Sequence, residues 1–290
     1  MHYKFHKVYI EITNICGLNC TFCPTKDIKA QIMDIKLFED ILIQLIPYTK
    51  DIAFHVFGDP LTLSNLNSYL DISQKYNFNV HITTTGYFLH NFEPELFLHQ
   101  AIKQINFSLN SYNKNEMNIS LEKYILPMFK LCDIKLKNKI HNFINFRLWN
   151  LDENNSENDF NNKVFTILSK KFNIDLSNIT FDKSIRLENQ ILINFDTYFK
   201  WPSLTDTEKT NGYCHGLISQ IAILSSGVVV PCCLDSFGSI NLGNLNNNTL
   251  KDILNSKKAL DIVKGFNNNI AIEELCKRCT FKDKFSSKNK

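Results

Sequence analysis

The sequence has no run of 18 or more apolar residues, so no helix in it is expected to span a bilayer. It has little net charge: 32 Lys and Arg against 29 Asp and Glu leave +3 at pH 7. So weak a field gives no argument for nucleic acid, and no basic stretch or RNA-binding module stands out. A secretory signal is also lacking, because MHYKFHKVYIEIT enters a strand pattern at once. The expectation is a chain that works in the cytoplasm, without membrane or nucleic-acid partners.

The 290 residues are 44% hydrophobic and 21% charged, which is enough for a sizeable core. That length allows one large domain, or one domain with an appendage. Nine cysteines need a reason. An odd number does not pair off, and reduced thiols in clusters more often hold metal than form bridges. Three lie together at Cys16, Cys20 and Cys23, and four spread over Cys214, Cys232, Cys276 and Cys279. Cys132 and Cys233 are left over, with Cys233 an alternative to Cys232.

Strand patterns at 8–13, 52–58, 80–86, 105–110 and 143–149, with a weaker sixth at 179–187, alternate with helical ones. The first helix carries Leu37, Ile41, Leu42, Leu45 and Ile46 on one face; others are expected over 61–77, 93–104, 115–131 and 159–172. Such alternation predicts right-handed βαβ units and a parallel sheet, with the chemistry beyond the strands' C-terminal ends. Distinctive residues stand at those ends. They are the cysteine loop, Gly58-Asp59-Pro60, Thr85-Gly86, Asn110 and Trp149-Asn150. The polar stretch 152–162 reads as a loop entering a helix, with Ser156 or Asp159 as its cap. From about residue 200 the pattern changes. Residues 201–213 read as a linker, 220–226 and 228–233 as a hairpin around Gly227, and 249–264 as a helix.

Three thiolates from one loop could hold three irons of a 4Fe–4S cluster and leave the fourth open. A zinc site completed by a distant ligand such as His55 or His81 is the alternative. The loop resembles the signature of the radical S-adenosylmethionine superfamily: cysteine, three residues, cysteine, an aromatic position, cysteine. Here these are Cys16, Cys20, Phe22 and Cys23. The resemblance implies an α/β fold, a partial (β/α)6 TIM-like barrel over residues 1–200. It also implies that S-adenosylmethionine chelates the open iron and is reductively split to a 5′-deoxyadenosyl radical, which takes a hydrogen atom from substrate. Gly58-Asp59-Pro60 stands where the family has Gly-Gly-Glu-Pro, and Thr85 where it has Thr-Asn-Gly. Ser108, Asn110 and Arg147 are expected to face the cofactor. Arg147 would pair with the methionine carboxylate, or otherwise with a neighbouring acid on the sheet.

The later cysteines are separated by 17, 43 and 2 residues, and four thiolates make a closed site for zinc or a fully ligated 4Fe–4S cluster. Cys214-His215-Gly216, Gly227 to Cys233, Leu242 to Leu245 and Cys276-Lys277-Arg278-Cys279 resemble the SPASM extension in its shortened twitch form. This implies a cysteine-rich unit over 201–290 with one auxiliary cluster, for electron transfer or for structure. The single cluster and 17-residue gap look like the twitch dehydrogenases of aminocyclitols. The molybdenum-cofactor cyclases share the layout but end in Gly-Gly, whereas this chain ends FSSKNK.

The expected activity is thus oxidation or rearrangement of a small metabolite, with a flavodoxin or ferredoxin as the external one-electron donor. A peptide substrate is the alternative; about seven residues precede the first strand, leaving no room for a peptide-recognition domain of its own. The rival of another class is a non-enzymatic zinc or iron–sulfur protein. Cys132, His55 and His81 are expected in the core, and His215 is unassigned.

Overall fold

The structure, a computed structural model, describes residues 3–24, 28–177, 179 and 184–286. Its strands are β1 (Lys7–Ile10), β2 (Asp51–Phe54), β3 (Asn79–Thr84), β4 (Ile102–Ser108), β5 (Phe143–Leu151), β6 (Ser184–Glu188), β7 (Ile191–Thr197), β8 (Gln220–Ile223), β9 (Val228–Val230) and β10 (Gly243–Asn244). The principal helices are α1 (Ile35–Leu45), α2 (Leu66–Lys75), α3 (Asn110–Asn113), α4 (Leu121–Lys137), α5 (Asn158–Phe172), α6 (Leu250–Leu254), α7 (Lys257–Asn267) and α8 (Glu274–Arg278).

Strands β1 to β5 lie side by side and parallel, and β7 extends them beyond β5. These six form the partial barrel. The sixth strand is a correction: the described part of 179–187 is β6, which runs antiparallel to β7 at the sheet's edge, while 180–183 lie outside the described residues. The parallel strand is the following ILINFDT, in which buried Ile191, Ile193 and Phe195 alternate with half-buried Leu192, Asn194 and Asp196.

Alternation along the strands explains the two faces. Val8, Ile10, Ile52, Phe54, Val80, Ile82, Ile105, Phe107, Ile144 and Phe146 are all fully buried and join the helices in one apolar core. Each such side chain stabilises the fold by roughly 1.5–3 kcal/mol. The opposite face carries Lys7, Tyr9, His81, Asn106, Arg147 and Trp149, which line a cavity. It is polar because it surrounds space and does not pack against itself. Gln104 and Asn145 both donate to Asn106 Oδ1, at 2.6 and 3.0 Å, so the buried amides there are paired.

Helix α1 begins where Asp34 Oδ1 accepts from the Lys36 and Leu37 N–H groups. It buries Phe38, Ile41, Leu42 and Leu45, while Ile46 is 46% exposed. The expected helix at 93–104 is only a 3₁₀ turn, Pro94–Leu98, because the chain must be extended by Ile102 to enter β4. The helix expected at 115–131 runs instead from Leu121 to Lys137, capped by Ser120. Helix α5 starts at Asn158, and Glu157 before it makes no side-chain cap bond; Ser156 is held by Asp152 instead. The helix over 249–264 is two, α6 and α7, because Ser256 starts a new one by accepting from Ala259 N–H.

The sheet does not stop at the barrel. Strand β8 pairs parallel with the free edge of β1, and β9 and β10 follow antiparallel. The later cysteines are thereby brought beside the barrel's interior.

Candidate functional site

The loop after β1 is pinned from two sides. Asp59 N–H and Thr62 Oγ1 donate to Ile15 O at 2.9 and 3.2 Å, tying it to the loop after β2. Asn115 holds its other end, accepting from Asn19 N–H at 2.9 Å and donating from Nδ2 to Cys20 Sγ at 3.0 Å. Gly17 takes φ +71°, and a Cβ there would stand 2.5 Å from the Phe88 ring. This geometry turns Cys16, Cys20 and Cys23 toward one cavity.

Phe22, Gly58, Asp59, Thr85, Ser108, Asn110 and Arg147 line that same cavity. Pro60 does not; it opens a 3₁₀ turn, Pro60–Thr62, behind it. Gly58 is required by close approach, since a Cβ would lie 2.2 Å from Thr13 O. The Asp59 carboxylate is 2% exposed and fully engaged. Its Oδ1 accepts from Leu61 N–H at 3.0 Å, and its Oδ2 from Thr84 Oγ1, Thr85 N–H and Thr85 Oγ1 at 2.9, 2.8 and 2.7 Å. Burial still raises its pKa. Asp59 clamps the β2 and β3 loops together, with its oxygens turned to protein.

Arg147 sits 4.4 Å over the Trp149 ring and, among the described residues, pairs with no carboxylate. The expected alternative of an ion pair on the sheet is not what the structure shows. Burial lowers the Arg147 pKa to about 10, so it stays charged at neutral pH. His55 is pushed down to about 4 by burial and by Arg147, and is neutral.

Sequence reading missed several lining residues. Tyr198, Phe199 and Trp201 close the cavity from the segment after β7, where 201–213 reads as a linker. The one sequence signal was three aromatics within a polar stretch. Trp201 Nε1–H is buried with no acceptor among the described residues, as a site awaiting a ligand would leave it. Asn115 was missed because its contact with Cys20 spans 95 positions.

Cys214, Cys232, Cys276 and Cys279 line a second, smaller cavity. Cys233 does not; it turns to Tyr9 and packs by Val56, Ala222, Leu224 and Val230. Lys282 Nζ fixes the Cys276–Cys279 turn by donating to the carbonyls of Cys276, Lys277 and Cys279 at 3.1, 3.0 and 2.8 Å. All four thiols have raised pKa values, first from burial; Cys214 stands at about 11. Charge on Cys214 adds to this at Cys232 and Cys276. Such thiolates form only around a compensating cation, so the donor set fits a buried metal group. Among the described residues no three His, Cys, Asp or Glu are arranged to hold a single ion. Thiols that surround a space suit the corners of an iron–sulfur cluster better than one zinc.

A further cavity of about 560 Å³ runs inside the barrel between the two sets. It shares His55, Arg147, Trp149, Phe199 and Trp201 with the first cavity and reaches Cys214, Cys232, Cys233 and Cys279. His81, within its wall, bonds Asp51 Oδ1 at 2.8 Å and Lys7 Nζ at 3.3 Å. Cys132 is buried in the apolar core.

Comparison with known proteins bears on both sets. Residues 10–150 match the family model of the Radical SAM superfamily, and residues 214–280 match SPASM, an iron–sulfur cluster-binding domain. A stretch of 77 residues is 27% identical to the S-adenosyl-L-methionine-dependent 2-deoxy-scyllo-inosamine dehydrogenase of Niallia circulans. That match spans 25% of this chain and 31% of the relative, so it covers about a third of the known enzyme. The fold is similar to that of BtrN in complex with AdoMet and 2-DOIA, with a TM-score of 0.61 at 17% identity over 97% of this chain and 94% of the other. Streptococcus suis SuiB bound to the precursor peptide SuiA gives 0.61 at 13% identity, over 98% and 73%. anSMEcpe with bound AdoMet gives 0.60 at 15%, over 95% and 86%. At these identities the likeness is one of fold.

Proposed function

From the premise that this chain is a radical SAM superfamily protein with a C-terminal SPASM iron–sulfur domain, we propose that it dehydrogenates a small metabolite. Residues 1–200 form the catalytic barrel and 201–290 a twitch-type unit with one cluster. Cys16, Cys20 and Cys23 hold the first 4Fe–4S cluster, with Phe22, Gly58, Asp59, Thr85, Ser108 and Asn110 around S-adenosylmethionine, while Arg147 lines both this cavity and the one inside the barrel. Cys214, Cys232, Cys276 and Cys279 hold the second. When bound, these groups supply reductive cleavage of S-adenosylmethionine, hydrogen-atom abstraction from substrate and a nearby acceptor for the second electron.

The observation that carries this reading is the cavity inside the barrel, walled by residues of both sites. A substrate there lies between the two cysteine sets. Loss of a hydrogen atom, then an electron and a proton, is a two-electron oxidation. His55 is neutral and lines both cavities, so its ring can accept a hydrogen bond from a substrate hydroxyl or amine there. Tyr198, Phe199 and Trp201 shield the site from water. The partial match to a known dehydrogenase supports the same chemistry. No described helix is long and apolar enough to cross a membrane. The nine cysteines form no disulfide, as suits a reducing compartment, and we assign the enzyme to the cytoplasm, with a flavodoxin or ferredoxin as electron donor.

Anaerobically reconstituted protein is expected to carry about 8 irons per chain, and to release 5′-deoxyadenosine when given reductant and S-adenosylmethionine. Deuterium from labelled metabolites is then followed into that product. Bound zinc in place of iron, or no nucleoside released, would overturn the reading.

A further inference from the structure

The cavity inside the barrel has an unusual charge balance. Its walls carry Lys7, Arg147, His55 and His81, and among the described residues that line it there is no Asp or Glu. Lys7 and Arg147 approach from opposite parts of the sheet, on β1 and β5. Neither forms an ion pair with a carboxylate among the described residues; the one side-chain bond of Lys7 goes to His81 Nδ1 at 3.3 Å. Arg147 lies over the Trp149 ring. Trp201 Nε1–H, on the same wall, is buried and has no acceptor among the described residues.

Like charges held together away from water are costly unless a counter-charge arrives. Arg147 lowers the Lys7 pKa, second only to burial, so the two cations are close enough to repel. Asp51 partly offsets this through His81, but it reaches Lys7 through that ring and leaves Arg147 uncompensated. A planar guanidinium fork, an ammonium and an indole N–H facing one space form a donor set for oxygen acceptors.

We propose that the barrel cavity binds an oxyanion of the substrate, a phosphate ester or carboxylate, through Lys7, Arg147 and Trp201. The inference rests on the proposed function for its location and names the substrate class: a small anionic metabolite. The anion would anchor the substrate inside the barrel next to the first cavity, which Arg147 and Trp201 also line. Lys7 stands at the start of β1, at the end of the strand remote from the cysteine loop, so it acts on substrate and not on S-adenosylmethionine.

The test is calorimetric titration of the reconstituted holoprotein, saturated with S-adenosylmethionine under anaerobic conditions. Glycerol 1-phosphate and malonate are the probes, with glycerol as the neutral control. Either anion is expected to bind and glycerol not. Lys7→Met should weaken anion binding at least 10-fold and leave the affinity for S-adenosylmethionine unchanged, while Lys7→Arg should retain binding. Iron content and circular dichroism verify that each variant folds. Equal binding by wild type and Lys7→Met, or no anion binding at all, overturns the proposal. If Lys7 serves only to balance the charge of the second cluster, its loss shifts that cluster's potential and no anion binds. Formation of 5′-deoxyadenosine by the same preparations tests the radical reading separately, so failure of the two is told apart.

Discussion

Thr85 is joined to Asp59 twice: its N–H and its Oγ1 both donate to Asp59 Oδ2, at 2.8 and 2.7 Å. This pair couples the ends of β2 and β3, and its loss should be felt in stability. Asp59→Ala leaves buried donors on Leu61, Thr84 and Thr85 without an acceptor. A destabilisation of about 3–5 kcal/mol is expected in anaerobic thermal or denaturant unfolding. Thr85→Val, which removes one of the four bonds to Asp59 and the acceptor of Tyr87 N–H, should cost about 1–2 kcal/mol. Near-equal values for the two would mean that the clamp is not what holds these loops.

Cys232 and Cys233 are neighbours with different surroundings, and iron analysis should separate them. Cys232 lines the four-thiol cavity, and Cys233 faces Tyr9. Cys232→Ser is expected to lower the iron content from about 8 to about 4 per chain, whereas Cys233→Ser keeps it. The reverse result would transfer the ligand role.

Asn115 Nδ2 donates to Cys20 Sγ at 3.0 Å. A donor on a ligating sulfur favours the reduced, more negative cluster. Asn115→Ala should therefore lower the first cluster's potential. A hydrogen bond of about 1 kcal/mol corresponds to roughly 40 mV for one electron. A redox titration followed by electron paramagnetic resonance measures this; an unchanged potential would deny the contact any electronic role.

Glu11 is 3% exposed, and its Oε2 accepts from Ser225 N–H and Oγ at 3.1 and 3.0 Å. Burial outweighs these bonds and raises its pKa from 4.5 to about 7. The folded state therefore holds a proton that the unfolded chain has released. Its stabilising contribution is full below the unfolded value and is lost as pH rises through about 7. Glu11→Gln should flatten that fall, which is of order 2–3 kcal/mol. Unfolding curves for both proteins across pH 4–8 provide the comparison; parallel curves would show that Glu11 does not titrate there.

Much of the site was legible before any fold was known, because its chemistry is local. The spacing of Cys16, Cys20 and Cys23 fits one loop, and Cys276 and Cys279 fit one turn. Gly58 announces close backbone approach by being glycine. The sixth strand was less legible: two strand-like segments follow one another, and only pairing across the sheet decides that β7 and not β6 runs parallel to β5. The short turn at Pro94–Leu98 has apolar residues spaced like a helix, yet too few residues separate it from β4 for one to form.

By itself the sequence determined the two sets of thiols, the alternation that makes a parallel sheet, and the residue types at the strand ends. These follow from covalent spacing and from periodicity, which need no knowledge of distant partners. Only the tertiary structure decided that β8 joins the edge of β1, that Asp59 is consumed by Thr84 and Thr85, and that Lys7 and Arg147 face one cavity. Those relations join residues from 25 to 213 positions apart. They arise because a curved sheet points one face of every barrel strand at a common interior, which no single segment can encode.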